Sequence, residues 1–167
     1  MAIIKIEDVP IMWAKLTEDE RDMGPEDGSD TAEKITAKQG QYCVNLMLTP
    51  DKKAEFIAAG IPTKGLVGNN FRTDKDGKEF YSAKRPHWNP FFKDPDTGTQ
   101  GVLVGPPNLF HEVDGEVIPW VIEEDGKLGN GTIVTAKINV YQGKIVQLMA
   151  LMVTEHVAYE PADDGSW

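Results

Sequence analysis

The sequence has almost no cysteine. Cys43 is the only one among 167 residues, which excludes a disulfide within the chain and a zinc site built from several thiolates. Long apolar runs are also missing. No stretch approaches the roughly 18 to 20 residues of a membrane-spanning helix, and the apolar run at the N-terminus is too short for a signal peptide. We therefore expect a cytoplasmic protein that folds in a reducing compartment.

Signatures of common catalytic and cofactor sites are absent as well. The sequence contains no P-loop, no G-x-G-x-x-G and no G-x-S-x-G, and none of its three histidines has a partner at a metal-ligand spacing. The acidic triplet Glu123-Glu124-Asp125 leaves one enzymatic alternative open, a small metal-dependent nuclease or resolvase. Our main expectation is a protein that is not an enzyme and needs no cofactor.

Basic residues are few, and they are unevenly distributed. The sequence has 17 lysines and arginines but 27 aspartates and glutamates, which gives a net charge of −10 and argues against a surface that is positive throughout. The acidic residues concentrate in the loop-like stretch 17–39, in 112–125 and at the C-terminal end. The segment from Phe71 to Lys93 is the exception, because it carries more cations than carboxylates. One basic segment therefore stands in an acidic protein.

Alternating apolar residues predict a chain made mostly of β-strands. Strands are expected over 3–6 continuing into 9–16, and over 41–48, 78–85, 132–141 and 144–153. Thr49 as N-cap, Pro50 in the first turn and Gly60 at the end predict one helix near 50–59. The Pro- and Gly-rich stretch 87–125 predicts long excursions rather than a second domain. Five or more strands with one helix are typical of a small barrel or sandwich.

The basic segment interleaves its cations with aromatic residues, namely Phe80, Tyr81, Trp88, Phe91 and Phe92. Binding of single-stranded nucleic acid needs both kinds of side chain, cations for the phosphates and aromatic faces for unpaired bases. In the alternative interpretation the phenylalanines belong to the core and the lysines are merely solvated. Composition alone does not decide between the two.

Several short stretches resemble the replication single-stranded DNA-binding proteins of tailed bacteriophages. They are residues 13–16, residues 40–46 (GQYCVNL), residues 129–132 (GNGT) and residues 148–153 with 157–159. The resemblance implies an OB-fold, a five-stranded barrel with one helix after the second strand and long loop insertions, over residues 1–159. It also implies a flexible acidic tail over residues 160–167. The implied function is non-catalytic, sequence-tolerant binding and protection of single-stranded DNA during phage replication and recombination, in the host cell cytoplasm.

Candidate binding residues combine the basic segment with this resemblance. We predict phosphate contacts by Lys15, Arg72, Lys78, Lys84, Arg85 and Lys137, and base stacking by Tyr81, Trp88, Phe91 and Tyr141. The resemblance implies that the tail, with Asp163, Asp164 and Trp167, recruits a replication polymerase or helicase and competes with DNA. A homodimer stays open, as does a phage interaction protein without DNA affinity.

Overall fold

The structure is a computed structural model that describes residues 2–23, 40–63, 70–141 and 145–159, with the side chains of residues 2, 90–92 and 145 outside the description. Strands dominate these segments. They are β1 (Ala2–Lys15), β2 (Gln41–Met47), β3 (Phe71–Thr73), β4 (Glu79–Pro86), β5 (Trp88–Lys93), β6 (Gln100–Leu103), β7 (Asn108–Val113), β8 (Glu116–Pro119), β9 (Ile133–Tyr141) and β10 (Ile145–Glu155). The helices are α1 (Pro50–Ala58) and α2 (Ile122–Asp125).

The strands form one large sheet and one separate hairpin. The large sheet has the order β3-β4-β2-β1-β9-β10-β7-β8, and β5 pairs with β6 alone. The expected mostly-β chain is confirmed, and α1 follows β2 as expected, while α2 is an additional single turn. The five-stranded barrel was too simple an expectation, because ten strands are present in the described segments and the sheets are open.

Strand β1 belongs to both halves of the large sheet. Its first part pairs antiparallel with β9, and its last part pairs antiparallel with β2. The pairing register shifts after Ile6 and again after Met12, and the backbone adopts positive φ at Asp8 (52°) and Trp13 (55°). Such bulges bend a strand and increase its twist. The two irregularities thus let one strand turn from β9 to β2.

The core lies on the inner side of this bent sheet and is closed at one end by α1. Strand β2 alternates between buried and half-buried residues, as its sequence predicted. The Thr49 Oγ1 atom accepts the N–H of Lys52 at 3.2 Å and caps α1, in agreement with the predicted helix start. Phe56 of α1 packs its ring edge-on against Tyr81, with centroids 5.0 Å apart. The helix is therefore held by an aromatic contact with β4.

The stretch 87–125 forms two hairpins outside this core. Strands β5 and β6 make the first, while β7 lies parallel to β10 and carries β8 on its other edge. The Trp120 indole packs between the imidazoles of His111 and His156, at centroid distances of 4.9 and 4.8 Å. Its Nε1–H donates to the Gly126 carbonyl at 2.9 Å. No helix in the described segments is long and apolar enough to span a membrane.

Arg85 links β4 to β10, although three other strands lie between them in the sheet order. Its Nη1 donates to the Leu148 carbonyl of β10 at 3.0 Å, while Nε and Nη2 donate to the carbonyls of Gly105 and Val104 at 2.8 and 3.0 Å. Burial lowers the pKa of the guanidinium below its usual value. The prediction that Arg85 binds phosphate is wrong, because each guanidinium nitrogen already donates to a backbone carbonyl inside the fold.

Replacement of Arg85 tests this link. We expect Arg85→Met to lower the free energy of unfolding by about 3 kcal/mol or more, since buried carbonyls lose charged donors while the apolar stem remains. Chemical denaturation measures the change. The matched control is Lys84→Met, at the neighbouring position on the other side of β4, for which the loss should stay below about 1 kcal/mol. An equal loss of unfolding free energy in the two variants would contradict a structural role for Arg85 between β4 and β10.

Candidate nucleic-acid interface

The outer side of β2, together with its two neighbouring strands, forms a continuous surface. Outward residues of β2 lie opposite Phe80, Ser82 and Lys84 of β4 on one side and opposite Met12 and Lys15 of β1 on the other. We call this surface the β2 face and define it by Met12, Lys15, Cys43, Asn45, Met47, Phe80 and Lys84, since Ser82 between them is buried. Residues far apart in the sequence are thus brought together by strand register.

Two cations stand at the Cys43 end of the β2 face, and a third lies next to its other end. Lys15 and Lys84 both pair with Cys43, one from each neighbouring strand. Their positive charges favour the thiolate, but burial has the larger effect and raises the pKa of the Cys43 thiol. Arg72 of β3 lies opposite Phe80, about 13 Å along β4 from Lys84 at ~3.3 Å per residue. The face therefore offers positive charge at two levels.

Between the cations the β2 face is largely apolar. Phe80, Met12 and Met47 are all half-buried, so part of each side chain is open to solvent. One carboxylate limits the face at the start of β2, where Asp22 Oδ2 accepts a hydrogen bond from Gln41 Nε2 at 3.1 Å. The combination of an aromatic ring, flexible thioethers and flanking ammonium groups can contact bases and phosphates at the same time.

Tyr81 does not belong to this surface. Its side chain has no solvent exposure, and its ring packs edge-on against Phe71 at a centroid distance of 4.8 Å as well as against Phe56. Burial also raises the pKa of its hydroxyl. The predicted stacking role of Tyr81 is wrong, because strand alternation turns this ring into the core and its neighbour Phe80 outward.

Two further predicted residues lie in the β5–β6 hairpin. Trp88 is half-buried, and its indole covers Gly101 of β6, where an added β-carbon would overlap the ring. Gly101 also has a φ of +98°, so that position favours glycine for two reasons. The side chain of Phe91 lies outside the described residues. Stacking by Trp88 and Phe91 therefore stays a prediction.

Lys137 and Tyr141 lie on a different part of the sheet. Lys137 of β9 pairs with Lys5 of β1, ten residues before Lys15 along the same strand. Lys5 in turn forms an ion pair with Glu7 at 3.3 Å. Tyr141 is half-buried at the end of β9. The sheet therefore separates this second basic pair from the β2 face.

The remaining predicted residues lie in a turn and in the tail. Lys78 is exposed beside β4, and its backbone N–H donates to Asp74 Oδ1 at 2.9 Å. This bond helps to close the turn between β3 and β4. The tail residues Asp163, Asp164 and Trp167 lie outside the described residues, so their roles stay predictions.

Sequence reasoning missed Trp13 as a candidate binding residue. Its side chain is 64% exposed, and its backbone N–H donates to Asn130 Oδ1 at 2.8 Å. Simple alternation from the buried Ile11 places Trp13 on the inner side of β1. The bulge after Met12 instead turns the indole outward. The periodicity of the sequence contained no sign of this reversal.

The acidic triplet 123–125 forms α2 and one of its carboxylates is already engaged. Asp125 Oδ2 accepts the backbone N–H of Val121 at 2.8 Å. Across the part of the chain that the structure describes, no group of three or more His, Cys, Asp or Glu side chains is arranged to hold a metal ion.

Comparison with known proteins gives structural neighbours only. No protein-family model matches the chain, and no curated protein does. Similar solved structures include the single-stranded DNA-binding protein from bacteriophage Enc34 in complex with single-stranded DNA. The sequence identity is 13%, the alignment covers 94% of this chain and 88% of that chain, and the TM-score is 0.48. A second structure of that protein gives 15% identity, coverages of 98% and 85% and a TM-score of 0.48. Its C-terminal truncation gives 12% identity, coverages of 98% and 88% and a TM-score of 0.48. These neighbours are phage single-stranded DNA-binding proteins, the class that the sequence motifs resemble.

Neighbouring residues on β4 allow a direct test of the two sides of the sheet. Tyr81→Ala should lower the free energy of unfolding by about 3–5 kcal/mol, because it removes a fully buried ring. Phe80→Ala, on the β2 face, should cost clearly less stability. Thermal or chemical unfolding of the two variants measures the difference, and a Tyr81→Ala protein as stable as Phe80→Ala would show that the ring is not part of the core.

Proposed function

We propose that this protein binds single-stranded DNA on the β2 face without catalysing a reaction. The observation that carries the proposal is the placement of Lys15 and Lys84 on either side of Cys43, on the same face as the half-exposed Phe80, which lies about 13 Å further along β4 at ~3.3 Å per residue. Ammonium groups attract the phosphates, and an aromatic ring accepts any base, so the binding is expected to tolerate sequence. Trp88, Phe91, Arg72 and Lys78 would extend the contact from the adjoining strands and turn.

We further propose that five of the strands correspond to an OB-type barrel. In the sheet, β4-β2-β1-β9-β10 stand in this order, and Arg85 connects the two outer members. Strands β1, β2 and β4 would then be the first three strands of the barrel, with β3, β7 and β8 as additions. Oligonucleotides bind OB-folds on the face of the second and third strands. The β2 face would occupy this position.

The net charge of −10 is compatible with binding a polyanion. Charges separated by more than about 10 Å are largely screened at 0.1 M salt, so a strand on the β2 face responds mainly to nearby groups. The cations of that face are set on paired strands, which fixes their positions relative to one another. Local charge rather than total charge would therefore govern the association.

The proposed role is to coat and protect unpaired DNA during phage replication and recombination. The C-terminal segment would recruit a replication polymerase or helicase. Support for this part comes from the sequence, where Asp163 and Asp164 precede Trp167. Aromatic side chains commonly dominate the energy of protein contacts, and the carboxylates would compete with DNA for the cations.

Salt-dependent binding is the principal test. Mixed-sequence single strands should bind more tightly than duplex, and affinity should fall as salt rises. The double variant Lys15→Gln/Lys84→Gln should bind more weakly, with a salt slope smaller by about 1.4, since each phosphate contact on a single strand contributes about 0.7. Fluorescence anisotropy of a labelled oligonucleotide measures both quantities.

The matched control is Lys5→Gln/Lys137→Gln, which removes the other cross-strand lysine pair. We expect it to change affinity and slope less than the first double variant does. The reverse result would move the interface to β9, and no binding by the unmodified protein would refute the proposal. Addition of magnesium should leave the oligonucleotide intact, whereas magnesium-dependent cleavage would support the nuclease alternative.

Removal of residues 160–167 tests the proposed tail. We expect tighter binding of single strands, most clearly at low salt where charges are least screened, together with loss of polymerase or helicase capture. Trp167→Ala should lose the partner while leaving DNA affinity nearly unchanged. A truncated protein that binds DNA no better and still captures its partner would exclude this role for the tail.

A further inference from the structure

A cleft of about 610 Å³ lies beside the β2 face, at the end of β1. Its walls include Trp13 and Lys15 from β1, Leu128 and Asn130 from the segment before β9, and Val157 and Tyr159 from the segment after β10. This volume is within the range of about 300–1,000 Å³ that is usual for small-ligand sites. Lys15 belongs both to this cleft and to the β2 face, so the two surfaces are continuous.

Two aromatic side chains of the cleft are unusually open to solvent. Trp13 is 64% exposed and Tyr159 is 46% exposed, while large aromatic side chains are mostly buried in folded proteins. Trp13 also has a φ of 55°, which is rare for a bulky residue. The Asn130 carboxamide holds this backbone by accepting the Trp13 N–H. The chain thus keeps an uncommon backbone conformation that leaves an indole in water.

Cations accompany these rings on both sides. Lys127 Nζ lies 5.3 Å from the centroid of the Tyr159 ring and 3.7 Å from a carboxylate oxygen of Glu20. Lys15 stands on the β1 side and is exposed. A phosphate that enters between them would meet two ammonium groups, and Lys127 can exchange its partly exposed contact with Glu20, which also lines the cleft, for that phosphate.

We infer that this cleft, the Trp13 cleft, binds one unpaired nucleotide of the strand that leaves the β2 face past Lys15. The base stacks on the Trp13 indole with Tyr159 on the far side, and Lys15 and Lys127 contact the adjoining phosphates. The inference rests on the proposed function, because it extends the same DNA path. It adds a stacking residue that the basic segment 71–93 does not contain.

The decisive variant is Trp13→Gly. It removes the indole and also relieves the positive φ, so the thermal midpoint should equal or exceed that of the unmodified protein. Affinity for a single-stranded oligonucleotide should nevertheless fall by about 5- to 150-fold, the value of one stacked base. Trp13→Phe should retain most of the affinity, because it keeps a ring. Val117→Ala, at an apolar β8 position that is 59% exposed, should change neither quantity.

Oligonucleotides of increasing length locate the effect. As the oligonucleotide is lengthened, the affinity of the unmodified protein should rise at one length at which the affinity of Trp13→Gly does not. Ultraviolet cross-linking should attach DNA to a peptide containing Trp13 or Tyr159. If Trp13→Gly fails to fold, Tyr159→Leu provides the same comparison of affinity and length dependence.

The failures of the two proposals are distinguishable. Tight binding by the unmodified protein, with equal affinity and equal length dependence in Trp13→Gly, would overturn the Trp13 cleft and leave the β2 face standing. Absence of any binding by the unmodified protein would overturn both. Sedimentation measurements in which Trp13→Gly dissociates a dimer, at unchanged DNA affinity, would assign the cleft to a second copy of the chain and would also overturn the inference.

Discussion

The structure depends on the contact that Arg85 makes between β4 and β10. A charged side chain is costly to place in a partly buried position unless its donors are used, and here all three guanidinium nitrogens donate to carbonyls. The contact joins two strands that stand apart in the sheet order, and the bent sheet turns its apolar side inward. The other side of β2 and β4 is consequently left for solvent or a ligand. An arginine from the basic segment thus helps to shape the sheet that carries the proposed interface.

Much of the fold could be predicted from local patterns. The alternation in residues 41–48 specified both the extent of β2 and its buried side, and Thr49 with Pro50 marked the start of α1. The hairpins of residues 87–125 could not be predicted in this way. Their strands are short and interrupted by proline and glycine, and β7 is placed by parallel pairing with β10, whose partner residues are more than forty positions away. Pairing of that kind leaves no periodic signal in either segment.

Within the single strand β4, too, the sequence pattern could not show which side is buried. Alternation correctly put Tyr81 and Arg85 on one side of β4 and Lys84 on the other, but both sides contain charged and aromatic residues, so the pattern did not say which side was buried. The answer came from contacts beyond the strand, namely Phe56 of α1 for Tyr81 and the carbonyl of Leu148 for Arg85. Composition could identify the segment as a candidate for binding. Only tertiary packing could divide its residues between the core and the surface.

Strand β1 has two bends, each with a non-glycine residue at positive φ, and the two residues differ in how readily they adopt that conformation. The first has Asp8 at a φ of 52°, and aspartate is among the residue types that adopt this conformation most readily. The second has Trp13 at 55°, where glycine, asparagine or aspartate would bend the strand at a lower conformational cost. Bending alone therefore explains Asp8 but not Trp13. Packing does not explain the indole either, because most of its surface is in solvent. We therefore infer that a ligand contacts this ring, and Lys15 in the same cleft, with Lys127 over the Tyr159 ring, makes an unpaired nucleotide the ligand of matching chemistry.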